Sequence, residues 1–399
     1  MKPKTIKLYD FVDGCAVHIS REIARIDGHA NGPNLVCLGG MHGNEPTGVL
    51  ALHRVMRDLR QLQPLLKGNV FALAGNLTAL ERGERYILDD LNRIWQADRV
   101  EKARKRDYQP AEMVHEIEEQ IELWSHIDSL MERRKGAFIF VDLHTTSADT
   151  IPFIALNDTL MNRRLARRLP VPEVLGIEEY LSEPLLSYVN DLGCPSLAFE
   201  AGQHNDPLAL RNHEAFLWLI LERAGLMSRR EIPNYDQHFE QLRSSARGNR
   251  KVYEITHSQR IEPADTFEML PGFINFQPVS NGEILAKQNF EAVLSPQKGR
   301  IFMPLYQKIG SEGFFIIRQI AKPWLVISWM FRFLNLYRIL PFLPGVRRFM
   351  KGSHIMMVNT NIARWYSTEI LHLMGYRRKK TSGHTTLYIR RKYDARPKK

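Results

Sequence analysis

At 399 residues, with 44% hydrophobic and 25% charged content, the chain is long enough for more than one core, since single cores usually stop growing near ~250–300 residues. No apolar run approaches the ~18 residues of a membrane-spanning helix, and Cys15, Cys37 and Cys194 are too few for a disulfide framework or a Cys-rich metal site. The net charge of +11 is local: residues 321–399 hold 17 Lys or Arg against Glu369 and Asp394, which leaves 38 bases and 42 acids in the rest of the chain.

Met1 to Asp10 lacks the apolar core and cleavage site of a secretory signal, so a reducing cytoplasm is the expected location. Asn34-Leu-Val-Cys-Leu-Gly39 reads as a buried strand, and Gly40 to Gly48 as a functional loop. After Pro46 the spacing of Val49, Leu50, Leu52, Val55, Met56 and Leu59 predicts a helix. Val70–Gly75, Ala137–Asp142 and Ser196–Glu200 are further short apolar strands, while Ala111–Lys135 has the pattern of an amphipathic helix. This alternation predicts an α/β sheet covered on both faces, with the site beyond the carboxyl ends of its strands, where His42, His144 and Glu200 fall. The polar interval Arg229–Arg250, with Pro233, is read as a boundary between a unit at 1–235 and a small all-β unit at 250–320, where turns such as Asn281-Gly282 punctuate short runs; a basic, aromatic extension occupies 321–399.

Zinc takes imidazole and carboxylate ligands, and a catalytic site uses three from the protein with one position open. His42-x-x-Glu45 offers two on a glycine-rich loop where neither side chain has a packing role. The same spacing recurs at His115-x-x-Glu118, within the charged helical pattern, and is read there as a solvated helix face. His144, directly after the third apolar run, is the candidate third ligand; alone it would more often be a hydrogen-bonded structural histidine.

Taken together, Gly39-Gly-Met-His-Gly-Asn-Glu45, Arg85-Tyr-Ile-Leu-Asp-Asp-Leu-Asn-Arg93, Asp142-Leu-His-Thr-Thr146 and Phe199-Glu-Ala-Gly202 resemble the succinylglutamate desuccinylase and aspartoacylase family, a branch of the zinc-carboxypeptidase fold, over residues 30 to 320. The resemblance implies a zinc-carboxypeptidase-like mixed β-sheet flanked by helices and followed by a small all-β domain. It also implies one Zn2+ per chain on His42, Glu45 and His144, with Glu200 as the base that activates water. Arg85 would steady the oxyanion, and Asn92 and Arg93 would grip a substrate carboxylate. One departure bears on the substrate: the family's further arginine and tyrosine before the catalytic glutamate are replaced here by Leu186-Ser-Tyr-Val-Asn190. That argues against acids with several carboxylates, such as N-acetylaspartate and succinylglutamate, unless Tyr188 or a residue of the β segment compensates.

The expected activity is hydrolysis of the amide bond of a small N-acyl amino acid or related carboxylate, with a carboxylic ester chemically open. A metallocarboxypeptidase acting on a peptide or cell-wall fragment is the nearest enzyme alternative. A different class of function is a membrane-surface protein working through its extension. Lys322–Arg348 carries Trp324, Trp329, Phe331, Phe333, Leu334, Leu336, Tyr337 and Phe342 among purely basic charges, a composition suited to an anionic bilayer at the inner face of the membrane or, equally, to a helix packed on the body. Pro341 and Pro344 argue against one continuous helix. Arg377–Lys380 and Arg390–Lys392 are read as solvated or disordered basic runs, nucleic-acid recognition has no motif behind it, and the oligomeric state is open.

Overall fold

The computed structural model describes residues 4–29, 31–109, 112–181, 183–307, 309–350, 354–363, 367–391 and 393–395. Met1 to Pro3, Ala111, Lys392 and the side chains of Lys379 and Lys380, on which some of the expectations above fall, lie outside the described residues.

The chain opens on a hairpin of β1 (Thr5–Asp10) and β2 (Cys15–Ser20). It continues through β3 (Glu22–Asp27), β4 (Asn34–Gly39), α1 (Thr47–Arg60), β5 (Asn69–Ala74), α2 (Leu77–Arg82), α3 (Ala97–Lys105), α4 (His115–Arg133) and β6 (Phe138–Thr146). Then follow β7 (Phe153–Leu156), α5 (Leu160–Ala166), β8 (Glu173–Leu175), α6 (Leu185–Asp191), β9 (Ser196–Gln203), α7 (Pro207–Arg223) and α8 (Tyr235–Ser245). β5, β4, β6 and β9 lie side by side in parallel, with β3 antiparallel at one edge and β7 antiparallel beyond β9. Covering both faces explains the unbroken apolar runs. Along β4, Leu35 and Cys37 enter one core with α1 and α7, while Val36 and Leu38 enter the other with α3 and α4.

The interval expected to separate two units contains α8, which packs on the first core through Leu242, Tyr235 and Phe239. The strands after it are β10 (Val252–Arg260), β11 (Phe267–Met269), β12 (Pro278–Val279), β13 (Ile284–Gln288), β14 (Glu291–Leu294), β15 (Gly299–Phe302) and β16 (Glu312–Ile320). β10 pairs in parallel with β8, and β16, β15 and β12 follow outward, so the sheet runs through eleven strands; β11, β13 and β14 form a separate sheet of three.

The basic extension is folded. α9 (Lys322–Phe333) and a 3-10 turn at Leu336–Phe342 are bent by 85° at Asn335, which takes a left-handed φ of 56°, and not at Pro341 or Pro344. β17 (Val346–Arg348), β18 (Ile355–Asn359), α10 (Ser367–Leu373), β19 (Tyr376–Ser382) and β20 (Thr385–Arg390) complete it, in an antiparallel sheet of order β17-β18-β20-β19 with its own core of Met356, Val358, Leu371, Tyr376 and Tyr388. The reading of Arg377 and Arg390–Arg391 as solvated or disordered is therefore corrected, while Arg378 is exposed. Arg377 is buried and pairs with Asp158 and Glu179, and Arg390 is held 3.2 Å from Asp394. Fixed carboxylates opposite these guanidiniums, which composition does not reveal, turn a basic run into a docked strand.

Asp158, in the turn between β7 and α5, is the anchor. Its carboxylate accepts from Arg163 Nε at 2.6 Å and Arg332 Nη2 at 2.8 Å as well as from Arg377, and all of this lies out of water. Burial would raise the Asp158 pKa, but the three guanidiniums outweigh it and hold the acid well below the usual carboxylate range. Such an acid stabilises the fold above its unfolded pKa and loses that contribution as pH falls through the folded one. Asp158→Asn should therefore destabilise the protein by about 3–5 kcal/mol at neutral pH. The difference from wild type should shrink below about pH 4, and urea unfolding across pH measures both.

Candidate active site

β4 delivers the chain to a tight turn. Gly40 takes a left-handed φ of +72°, and a Cβ on Gly43 would stand 2.0 Å from the Ala79 backbone. The Gly43 N–H donates to the Arg85 carbonyl at 3.1 Å, which fastens this turn to the loop that follows α2. His42 and Glu45 project from the turn. The β6–β9 register sets His144 directly opposite Glu200.

Glu45 stands between the two imidazoles. Its Oε1 is 2.8 Å from His42 Nδ1, its Oε2 is 3.1 Å from His144 Nδ1, and the same Oε2 accepts the Thr145 N–H at 2.9 Å. Each ring is backed on its other nitrogen by a carboxylate, His42 Nε2 by Asp90 at 3.1 Å and His144 Nε2 by Asp142 at 2.8 Å. Glu45, Asp142, His144 and Glu200 are all buried, and Glu200 Oε2 has no partner among the described residues.

Burial would raise the Glu45 pKa, but the imidazoles prevail and hold it well below its ordinary value. Burial likewise opposes charge on His144, yet Asp142 and Glu45 outweigh it and push its pKa well up. Asp90, whose burial acts upward, is held well down by His42, Arg85 and Arg93. Glu200 is pushed up to about 8 by burial together with Glu45 and Asp142, against His144 and Arg85.

A dry centre this rich in carboxylates fits a cation. One nitrogen of each of His42 and His144 and one oxygen of Glu45 lie within 4.8 Å of one another, the two-His, one-carboxylate donor set of a catalytic zinc site. The carboxylates behind the rings match the outer partners that orient metal-bound histidines.

Arg85 Nη2 donates to Asp90 at 3.0 Å, and its Nη1 lies 3.8 Å from Glu45. Asn92 Oδ1 accepts the Leu185 N–H at 3.2 Å, which braces the start of α6. Arg93 Nη2 is 3.5 Å from Glu312 Oε2, at the start of β16. All seven residues singled out in the sequence, His42, Glu45, Arg85, Asn92, Arg93, His144 and Glu200, line one cavity. Its remaining wall is largely apolar, from Ala155, Leu156, Ile177, Leu181, Leu197 and Phe315.

Sequence reasoning missed Asp90, Asp142, Glu116 and Glu312. Asp142 is legible in hindsight, two residues before His144 on the same face of a strand. The solvated reading of the second His-x-x-Glu holds for His115 and Glu118, which are exposed, but not for the helix face beside them. Glu116 is fully buried and accepts the N–H groups of Ile87, Leu88 and Asp89 at 2.7, 3.2 and 3.3 Å. It thus fixes the backbone just before Asp90, Asn92 and Arg93.

The fold and the site define a mixed α/β protein built like the desuccinylase and aspartoacylase structures. The succinylglutamate desuccinylase/aspartoacylase from Rhodobacter sphaeroides superposes with a TM-score of 0.56 at 19% identity, covering 80% of this chain and 95% of that one. The product-bound ectoine utilization protein EutE (DoeB) from Ruegeria pomeroyi gives 0.53 at 17%, covering 80% and 94%. Residues 31–215 match the family described as the succinylglutamate desuccinylase/aspartoacylase catalytic domain. The succinylglutamate desuccinylase of Pseudomonas paraeruginosa is 30% identical over 113 residues, 27% of this chain and 34% of that protein, so the match spans about a third of the curated relative's length.

Glu116→Ala removes a buried acceptor from three part-buried backbone donors and is expected to cost about 1–3 kcal/mol. Glu118→Ala on the exposed face should stay within about 0.5 kcal/mol of wild type; chemical denaturation of the two variants side by side is the check.

Proposed function

We propose that the protein is a zinc-dependent deacylase that hydrolyses the amide bond of a small N-acyl amino acid, its acyl group apolar. The observation that carries this reading is the buried His42, Glu45 and His144 cluster facing Glu200 across the β6–β9 register. The match of residues 31–215 to the succinylglutamate desuccinylase/aspartoacylase catalytic domain supports amide hydrolysis, and the relatives' printed name, succinylglutamate desuccinylase, supports an acylated amino acid as the class of substrate.

His42, Glu45 and His144 would hold the zinc ion. When bound, the metal supplies Lewis-acid polarisation of the scissile carbonyl and lowers the pKa of water toward ~7. The chain's own residues do the rest. Glu200 accepts a proton from the attacking water and passes it to the leaving amine. Arg85, held by Asp90, offers its guanidinium to the oxygen on which negative charge develops. Asp90 and Asp142 keep both imidazoles turned toward Glu45.

The substrate carboxylate goes to Arg93. Glu312 already faces that guanidinium, so an incoming carboxylate must take the place of an internal one. The absent second clamp and the apolar wall favour a single carboxylate and a hydrocarbon acyl group over succinyl or aspartyl substrates. Glu312→Gln, which frees Arg93, is expected to lower KM for N-acyl amino acids by roughly fivefold, the worth of about 1 kcal/mol for a partly exposed pair. The kcat should change little; steady-state kinetics on one acyl amino acid measures both.

The whole reading is tested on metal and turnover together. Wild type should carry about one zinc per chain by mass spectrometry and release amine from N-acyl amino acids rather than from peptides. His144→Ala should lose both properties. Glu200→Gln should keep the metal and lose about 10²–10⁴-fold in kcat. A wild type that binds no zinc and stays inert after zinc is added would rule the deacylase out, and cleavage of peptides alone would favour a carboxypeptidase.

A further inference from the structure

Outside the active site, one face of the C-terminal extension has no assigned role. α9 is two-sided. Ser328 and Arg332 are buried against the body, where Arg332 donates to Asp158, to the His372 carbonyl at 2.9 Å and to the Leu373 carbonyl at 3.2 Å. The opposite side leaves Val326, Trp329, Met330 and Phe333 each about half exposed or more, and Trp324 in the first turn is also half exposed. Trp329 and Phe333 stack on each other in solvent, with ring centroids 5.2 Å apart. After the 85° bend the turn holds out Phe342 at 86% exposure. Soluble surfaces scatter single apolar side chains, whereas a contiguous aromatic and aliphatic patch of this kind marks an interaction surface.

A second, independent observation says what covers it. α9 forms one wall of a groove, and the facing wall is cationic, with Arg164, Arg167 and Arg168 at the end of α5 and Arg250 and Lys251 before β10. Arg164, Arg167, Arg168, Arg250 and Lys251 are exposed and make no ion pair among the described residues. Arg164, Arg167 and Arg168 also cluster with Arg223 around a smaller hollow. Apolar side chains beside a bank of unpaired guanidiniums are complementary to the acyl and phosphate layers of an anionic bilayer. A second copy of the chain would bring like charges face to face, and a nucleic acid would leave the aliphatic side chains unburied.

We propose that this face seats the protein on an anionic lipid surface, with α9 lying in the interfacial plane and the arginine bank on the phosphates. Among the described residues no single helix is long and apolar enough to cross a membrane. The buried Arg332 contacts keep α9 on the body, so the mode is attachment to one leaflet. Interfacial α9 side chains bury while Arg332 remains paired with Asp158.

The test is co-sedimentation of the full chain with vesicles of phosphatidylcholine alone and of phosphatidylcholine mixed with phosphatidylglycerol. Wild type should pellet with the anionic vesicles only and be released by salt. The exposed double variant Trp329→Ser/Phe333→Ser should lose about tenfold or more in partitioning. The triple variant Arg164→Ala/Arg167→Ala/Arg168→Ala should lose roughly 100-fold, about fivefold for each charge removed. Unchanged circular dichroism and melting of both variants excludes misfolding as the cause. Three outcomes overturn the proposal: wild type left in the supernatant with anionic vesicles, both variants partitioning as wild type does, or a dimer by sedimentation velocity that the Trp329→Ser/Phe333→Ser variant dissolves. Retention on RNA without vesicle binding would overturn it as well.

Discussion

Glu45 and Asp142 are buried within hydrogen-bond reach of two imidazoles, with the buried Glu200 carboxyl beside them, and that concentration of acidic groups out of water is the constraint to which the surrounding structure answers. Ionised acids in a dry place are costly unless opposite charge meets them. The parallel β4, β6 and β9 bring the groups to one level. Gly40 and Gly43 let the His42 turn fold close to α2, and Arg85 lends a permanent cation at the rim. The donor set could hold a divalent ion at its centre, and the carboxylates behind each ring keep His42 and His144 turned toward Glu45.

The same logic recurs at a distance from the cavity. Asp158 binds three guanidiniums from two parts of the chain, and without it Arg332 and Arg377 would be buried cations lacking their main counter-charge. Asp158 follows Leu156 and Asn157, which line the cavity, so the contact that docks the extension adjoins the pocket wall. Composition presents the extension as a cationic appendage. Its structure is a small sheet and helix tied down by carboxylates of the body.

Most of the central sheet was legible, because strands covered on both faces need unbroken apolar runs, and Asn34–Gly39 and Ser196–Glu200 supply them. The grouping of His42, Glu45 and His144 could be anticipated because they follow apolar runs near the carboxyl ends of strands, where α/β sheets place ligands, although β6 runs on through Thr146 and takes in His144. Glu116 was not, since the backbone donors it satisfies come from a loop in another part of the chain, and its helix shows only a charged face to a periodicity count. Glu312 was hidden for a similar reason: only the continuation of the sheet through β10 and β16 carries it to Arg93. Strands β19 and β20 were masked by their charge, although Thr386 and Tyr388 alternate inward as a half-buried strand should.

That continuation of the sheet has a mechanical consequence. Met303 and Leu305, in the loop between β15 and β16, and Glu312 and Phe315, on β16, line one side of the cavity, and β16 is hydrogen-bonded through β10 and β8 into the same sheet that bears His144 and Glu200. Such a side cannot swing as a hinged cover without tearing a ladder of backbone bonds. The part of the chamber carried by β16 is therefore set when the chain folds, so that exchanging Phe315 would change which molecules fit it without altering any motion.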